Sequence, residues 1–105
     1  MATRAVIKVE GQPHVKLYKH WDGYPEATLP WLIEFNKEFG DTRGHQDTSY
    51  KFAQLIRSSV FLGEKHNLDL SQTTGWGIVE MEADCGEEYI YNLTLNGKIE
   101  VIQPY

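Results

Sequence analysis

The sequence lacks several features that would each assign it to a functional class. Cysteine occurs once, at Cys85, so no internal disulfide can form, and the acidic residues around it disfavour a thiolate. No apolar run approaches the roughly 18 residues that a membrane helix needs, and no signal-peptide core follows Arg4. No basic stretch of the kind that binds nucleic acid is present. A cytoplasmic protein is expected, with no membrane segment and no direct nucleic-acid partner.

Charge is unevenly placed along the chain. Residues 1–75 hold nine acidic and nine basic side chains, whereas residues 76–105 hold six acidic side chains and one basic side chain, Lys98. The net charge of −5 therefore arises entirely from the C-terminal part. This acidic segment is either a solvated sheet face or a surface for a basic partner, including a nucleic-acid-binding protein whose ligand it would mimic.

Hydrophobic periodicity divides the 105 residues into seven elements. Alternation with a period of two predicts strands over residues 4–10, 14–20, 75–83, 88–95 and 98–103. Helical spacing predicts one helix from Thr28 to Gly40 and a second from residue 47 or 48 to about Lys65. The order ββααβββ predicts a single α+β domain over residues 1–105, with an antiparallel sheet of about five strands and two helices packed on one face.

The two helices carry apolar stripes that should face the sheet. The stripes consist of Leu29, Leu32, Ile33, Asn36 and Phe39 on the first helix, and of Phe52, Leu55, Ile56, Ser59, Val60 and Gly63 on the second. Lys51 is expected to face water. Trp31, Phe35 and Phe61 lie off the stripes, where they pack on loops or mark an interface.

The dipeptide Asn96-Gly97 favours a two-residue type I′ hairpin near the end of the chain. This turn would pair Leu93 with Glu100 and Tyr91 with Ile102, which leaves apolar side chains on both faces of the hairpin. The second face is then either covered by loops or in contact with another subunit. The candidate interface residues are Tyr89, Tyr91, Leu93, Glu100 and Ile102.

The stretch from His20 to Pro25 is the main candidate for a binding or structural motif. It comprises His20, Trp21, Asp22, Gly23, Tyr24 and Pro25. The side chains of His20, Asp22 and Tyr24 could exchange protons or form hydrogen bonds, as general acid–base catalysis requires. The alternative interpretation is a structural bend, in which Asp22 accepts backbone hydrogen bonds and Gly23 takes a positive φ.

Other kinds of site receive little support from the sequence. The histidine and cysteine spacings fit no zinc motif, so no metal is expected. The glycines around Trp76 are not followed by a helix and do not form a dinucleotide-binding loop. No catalytic residue and no cofactor is predicted.

The residues from His20 to Glu26, preceded by Leu17-Tyr18, resemble the hallmark of a group of small proteins encoded in phages, prophages and other prokaryotic genomes. A second likeness is Glu88-Tyr89-Ile90-Tyr91 leading to Gly97-Lys98, which is similar to the C-terminal aromatic hairpin of that group. The group has no established activity. The resemblance therefore implies a phage-associated source and a shared fold, and it assigns no catalytic residue.

The sequence favours a non-enzymatic protein-interaction module, expected to be a homodimer and open to a further protein partner. Two alternatives remain. One is a small-ligand binder or enzyme with a site at the His20–Pro25 bend. The other is an acidic nucleic-acid mimic that binds a basic protein.

Overall fold

The computed structural model describes residues 3–59 and 75–104, which contain two helices and five strands. In chain order these are β1 (Ala5–Val9), β2 (Val15–Lys19), α1 (Pro25–Thr42), α2 (Thr48–Ser59), β3 (Trp76–Glu80), β4 (Tyr89–Leu93) and β5 (Ile99–Ile102). The predicted α+β class and the order ββααβββ are confirmed. The predicted end of the second helix near Lys65, together with Val60, Phe61 and Gly63, lies outside the described residues.

The five strands form one sheet in the order β3-β2-β1-β4-β5. All neighbouring strands are antiparallel except β1 and β4, which are parallel. The sheet is therefore mixed, whereas the sequence predicted an antiparallel sheet. The parallel pair arises because β3 and β4 lie on opposite sides of the β1–β2 hairpin. Residues 81–88 cross from one to the other, and the crossing returns the chain to Arg4, whose carbonyl oxygen accepts the Glu88 N–H at 2.9 Å.

The core lies between the helices and one face of the sheet, here called the helix face. Alternate residues of β1, β2 and β4 supply its floor, and α1 and α2 supply its roof. Its buried members are Ala5, Ile7, Val9, Leu17, Leu32, Phe35, Phe39, Phe52, Leu55, Tyr91 and Leu93.

The crossing segment, residues 81–88, covers part of the opposite face of the sheet. Lys16 lies beneath it, almost fully buried, and its Nζ donates a hydrogen bond of 2.7 Å to the Ala83 carbonyl oxygen. The carboxylate of Glu87 lies 4.0 Å from the same Nζ. The expectation of a covered second face concerned the β4–β5 hairpin, where Glu100 and Ile102 are exposed on this face.

Helix α1 begins earlier and is rotated relative to the sequence prediction. Tyr24 is its N-cap and Pro25 occupies the first turn, where a missing N–H leaves no hydrogen bond unmade. Phe35 is buried, although it was predicted off the stripe, and Ile33 is 57% exposed, although it was predicted on it. The helix therefore presents Ile33 to its surroundings and not to the core.

The β4–β5 hairpin has a different register from the predicted one. Leu93 pairs with Ile99 and Tyr91 with Val101, one residue away from the type I′ pairing. A type I′ turn needs positive φ at both central residues, whereas only Gly97 has it, at 84°. The Thr94 N–H donates to the Lys98 carbonyl oxygen at 2.9 Å, which encloses a three-residue loop. The helix face of the hairpin is consequently apolar and not mixed.

Candidate functional site

The His20–Pro25 bend is held by side chains that bind its backbone carbonyl groups. Three consecutive carbonyl oxygens each accept one bond: Trp21 from Lys19 Nζ (2.6 Å), Asp22 from Thr28 Oγ1 (2.9 Å) and Gly23 from the Tyr91 hydroxyl (2.6 Å). Burial raises the pKa of Tyr91 to about 12, so this hydroxyl keeps its proton and donates at ordinary pH. The bend is thereby fastened to β2, α1 and β4.

Two residues of the bend have roles that differ from the predicted ones. Asp22, not Gly23, has the positive φ, at 54°. Among the described residues the Asp22 carboxylate accepts no hydrogen bond. Asp22 therefore shapes the turn through its backbone conformation and not through its side chain. Gly23 is required because a Cβ there would lie 2.7 Å from the Cβ of Ala5 and 2.8 Å from the carbonyl oxygen of Thr3. The Gly23 N–H donates to that same oxygen at 2.8 Å.

Within residues 3–59 and 75–104, the other side chains of the bend do not surround a cavity of ligand size. The His20 Nδ1 is hydrogen-bonded to the Tyr18 hydroxyl, and Trp21 packs edge-on against His20 with ring centroids 4.5 Å apart. Trp21 and Tyr24 are exposed. The cavity at this point, lined by Lys19, Trp21, Gly75 and Trp76, measures about 70 Å³, whereas ligand pockets usually exceed about 300 Å³.

The five candidate interface residues divide between the two faces of the sheet. Tyr91 and Leu93 are fully buried on the helix face, so they form core and not surface. Tyr89 is half-buried on the same face, beside Tyr91. Glu100 and Ile102 are exposed on the opposite face, where Asn92 Nδ2 donates to the Glu100 carboxylate at 2.9 Å.

Strand β5 is the last strand of the described sheet on its side, and its outer edge presents backbone groups. Since Thr94 bonds to Lys98, the alternation of an antiparallel ladder turns the backbone groups of Glu100 and Ile102 towards β4. The N–H and C=O groups of Ile99 and Val101 then point outwards. This edge is the kind of surface that accepts another strand.

A groove of about 560 Å³ runs between α1 and this edge. Its apolar lining consists of Leu29, Ile33, Ile99 and Val101. Ile33 is 57% exposed and Val101 is 41% exposed, although both are large apolar side chains. Open backbone groups and exposed apolar side chains thus lie side by side, which is the arrangement that strand addition uses.

Polar side chains form the floor of the groove beside Gly97. Asn36 Nδ2 donates to the Gly97 carbonyl oxygen at 2.9 Å, while the buried Asn36 Oδ1 has no hydrogen-bond partner in the described part of the chain. His45 also lies against Gly97, since a Cβ on that glycine would be 2.7 Å from His45 Nε2. Beneath it, the Nζ of Lys51 is 3.0 Å from His45 Nδ1.

The charges of this floor follow from burial. Lys51 is fully buried, and burial lowers its pKa to about 8. Burial and the neighbouring ammonium lower the pKa of His45, so its imidazole is neutral at pH 7. An ammonium can only donate, so Lys51 donates to Nδ1 and the proton of the neutral ring resides on Nε2. The ring consequently presents an N–H donor near Gly97, the residue that Asn36 also contacts.

This floor was not predicted from the sequence, because Lys51 was expected on the water-facing side of the second helix and His45 in a polar loop. One signal was present: Lys51 precedes the buried residues Leu55 and Ser59 by four and eight positions, a spacing that places all three on one helix face. The groove was missed because Ile33 was assigned to the core.

Cys85, possible metal ligands and the two helices were also considered as sources of function. Burial raises the pKa of the Cys85 thiol, with the nearby Lys16 ammonium opposing it, so thiolate is disfavoured. Within residues 3–59 and 75–104, no three histidine, cysteine or acidic side chains are grouped so that they could hold a metal ion. Neither helix of this part of the chain is long and apolar enough to span a membrane.

Comparisons with protein-family models, with curated proteins and with solved structures gave no match to this chain. The resemblance to phage-associated proteins stays a prediction that rests on the bend residues.

Proposed function

We propose that the protein is a non-enzymatic interaction module that associates with a second copy of itself through the outer edge of β5. The observation that carries the proposal is the outward-facing backbone of Ile99 and Val101, set beside the exposed side chain of Ile33. Two such edges paired antiparallel would join the two sheets into one. The module would then be a homodimer with a continuous ten-stranded sheet.

Self-association suits this edge because each copy presents the backbone donors, the backbone acceptors and the apolar side chains that the other copy needs. In a two-fold arrangement each edge supplies both donors and acceptors, so four backbone hydrogen bonds form between the copies. Directly paired residues of antiparallel strands have side chains on the same side, so the apolar grooves of the two copies become continuous. Ile33 and Val101 of each copy lose exposure to water as a result.

The two other candidate functions receive less support from the geometry. At the bend, the described residues enclose a cavity of only about 70 Å³, and the carbonyl groups of Trp21, Asp22 and Gly23 already accept hydrogen bonds. An acidic nucleic-acid mimic needs free, exposed carboxylates on one surface. Glu87 is instead buried beside Lys16, and the Glu100 carboxylate already accepts a hydrogen bond from Asn92.

Replacing Val101 with proline tests the edge directly. Proline has no N–H, and the Val101 N–H points away from β4, so the substitution removes a donor of the outer edge without breaking the hairpin ladder. The dimer loses two hydrogen bonds, one from each copy and each worth about 1 kcal/mol, so we expect its dissociation constant to rise about thirtyfold. Sedimentation equilibrium over a range of protein concentrations measures this change.

The matched control is Val101→Thr, which retains the N–H and the β-branched shape and should dimerise within about threefold of the unaltered chain. Circular dichroism on both variants establishes that each is folded. A chain that sediments as a strict monomer at every concentration would overturn the proposal, as would a proline variant that dimerises like the threonine control.

A further inference from the structure

The proposed dimer restricts the alignment of its two β5 strands. Outward-facing residues must pair with outward-facing residues, and the only such residues within β5 are Ile99 and Val101. The two-fold register that uses both is Ile99 with Val101 of the second copy, which places Glu100 opposite its own counterpart. The Glu100 carboxylate is drawn back towards β4 by Asn92, which reduces repulsion between the two carboxylates across the axis.

This register places one further residue beside the polar floor of the groove. Counting outward from the pairs of Ile99 and Val101, position 103 of the second copy comes opposite Gly97. Gln103 is exposed and directly follows β5, and continuing the alternation of the strand by one residue puts its side chain on the same face as Val101, the helix face. Gly97 is the residue that Asn36 and His45 both contact.

We infer that the groove floor is a binding site for a side-chain carboxamide, and that its occupant is Gln103 of the second copy. This inference rests on the proposed function, because it assumes the edge-to-edge dimer. The carboxamide N–H donates to Asn36 Oδ1, a buried oxygen with no partner among the described residues, once the side chains that close it off from the groove shift on binding. The carboxamide oxygen accepts the N–H of His45 Nε2, so a donor and an acceptor of the ligand each meet their complement.

Lys51 acts in this site as a positioning residue. Its ammonium donates to His45 Nδ1 at 3.0 Å, which fixes the tautomer that presents N–H to the groove. Asn36 is held at the same place by its bond to the Gly97 carbonyl oxygen. The site therefore distinguishes a carboxamide from a carboxylate, because a carboxylate has no proton to donate to Asn36.

Sedimentation equilibrium measures the dimer dissociation constants of Gln103→Ala, Gln103→Glu, Asn36→Ala and the double variant of Gln103→Ala with Asn36→Ala. The control is Gln54→Ala, at another exposed glutamine. We expect Gln103→Ala to weaken the dimer about tenfold, Gln103→Glu to weaken it at least as much, and Gln54→Ala to leave it unchanged. In the double variant the two losses should not multiply, because both substitutions remove the same contact. Gln103 is exposed, so its variants report on association even if Asn36→Ala folds poorly.

The inference and the proposed function fail in different ways. If the unaltered chain dimerises and Val101→Pro weakens the dimer while Gln103→Ala does not, the carboxamide site is overturned and the edge pairing stands. Losses that multiply in the double variant would overturn the site in the same way. A chain that never dimerises overturns both.

Discussion

Replacing Gly23 with alanine is expected to lower the free energy of unfolding by about 3 kcal/mol, the upper part of the range for overpacked sites. The added methyl group would lie 2.7 Å from the Cβ of Ala5 and 2.8 Å from the Thr3 carbonyl oxygen. Neither neighbour can yield easily, because Ala5 is in the central strand β1 and the Thr3 oxygen already accepts the Gly23 N–H. Relieving the contact would also displace the Gly23 carbonyl from the Tyr91 hydroxyl.

The control for this substitution is Gly77→Ala in β3. A Cβ on Gly77 would meet only the Tyr18 ring, at 3.8 Å, which is an ordinary contact. Alanine should be tolerated there or should stabilise slightly, since glycine in a strand is entropically unfavourable. Urea unfolding followed by tryptophan fluorescence compares the two variants. Equal midpoints would contradict the account of the bend as a tightly packed structural element.

Replacing Lys51 with methionine is expected to raise the free energy of unfolding at pH 7 by about 2 kcal/mol. The lowering of its pKa from 10.5 to about 8 corresponds to a cost of about 3 kcal/mol for keeping the buried ammonium charged. Methionine has a similar length and no charge, so it removes this cost. It also loses the hydrogen bond to His45, worth about 1 kcal/mol, which leaves the smaller net gain.

The pH dependence of this effect has a defined sign. Between pH 8 and 10.5 the unfolded chain retains a proton on Lys51 that the folded chain has released, so the unaltered protein gains stability as the pH rises through this window. The advantage of the methionine variant should therefore shrink between pH 7 and pH 10. Denaturant unfolding at several pH values measures the difference between the two proteins.

Lys37→Met is the matched control, because the Lys37 side chain is 78% exposed and its ion pair is with the exposed Asp41. Its stability should stay within about 0.5 kcal/mol of the unaltered protein at each pH. If Lys51→Met destabilises the protein at pH 7, or if its effect is independent of pH, the assignment of Lys51 as a buried ammonium is wrong.

The order of elements was predictable because it depends on local periodicity. Such periodicity involves residues that are close in sequence, as in the alternation over β1 and β2 and the helical spacing of Leu32, Asn36 and Phe39. The structure has the corresponding strands and helix. The register of the last hairpin was not predictable on this basis. Asn96-Gly97 is compatible with a two-residue turn and with a three-residue loop. The burial of Tyr91 and Leu93 in the core determines which of the two forms.

The features of the candidate site depend on contacts between residues distant in sequence. The hydroxyl of Tyr91 binds the Gly23 carbonyl 68 residues away, and Asn36 binds the Gly97 carbonyl 61 residues away. No local pattern encodes such pairs. The same limit applies to the bend: its residues identified it as a distinct segment, while its attachment to three other elements required the fold.

Pairing of the outer edge of β5 with a second copy can be tested residue by residue, by amide hydrogen exchange measured by NMR at high and low protein concentration. The amides of Glu100 and Ile102 face β4 and should be protected at both concentrations. The amides of Ile99 and Val101 face outwards, so the account predicts protection at high concentration that is lost on dilution. Rapid exchange of Ile99 and Val101 at every concentration would contradict it.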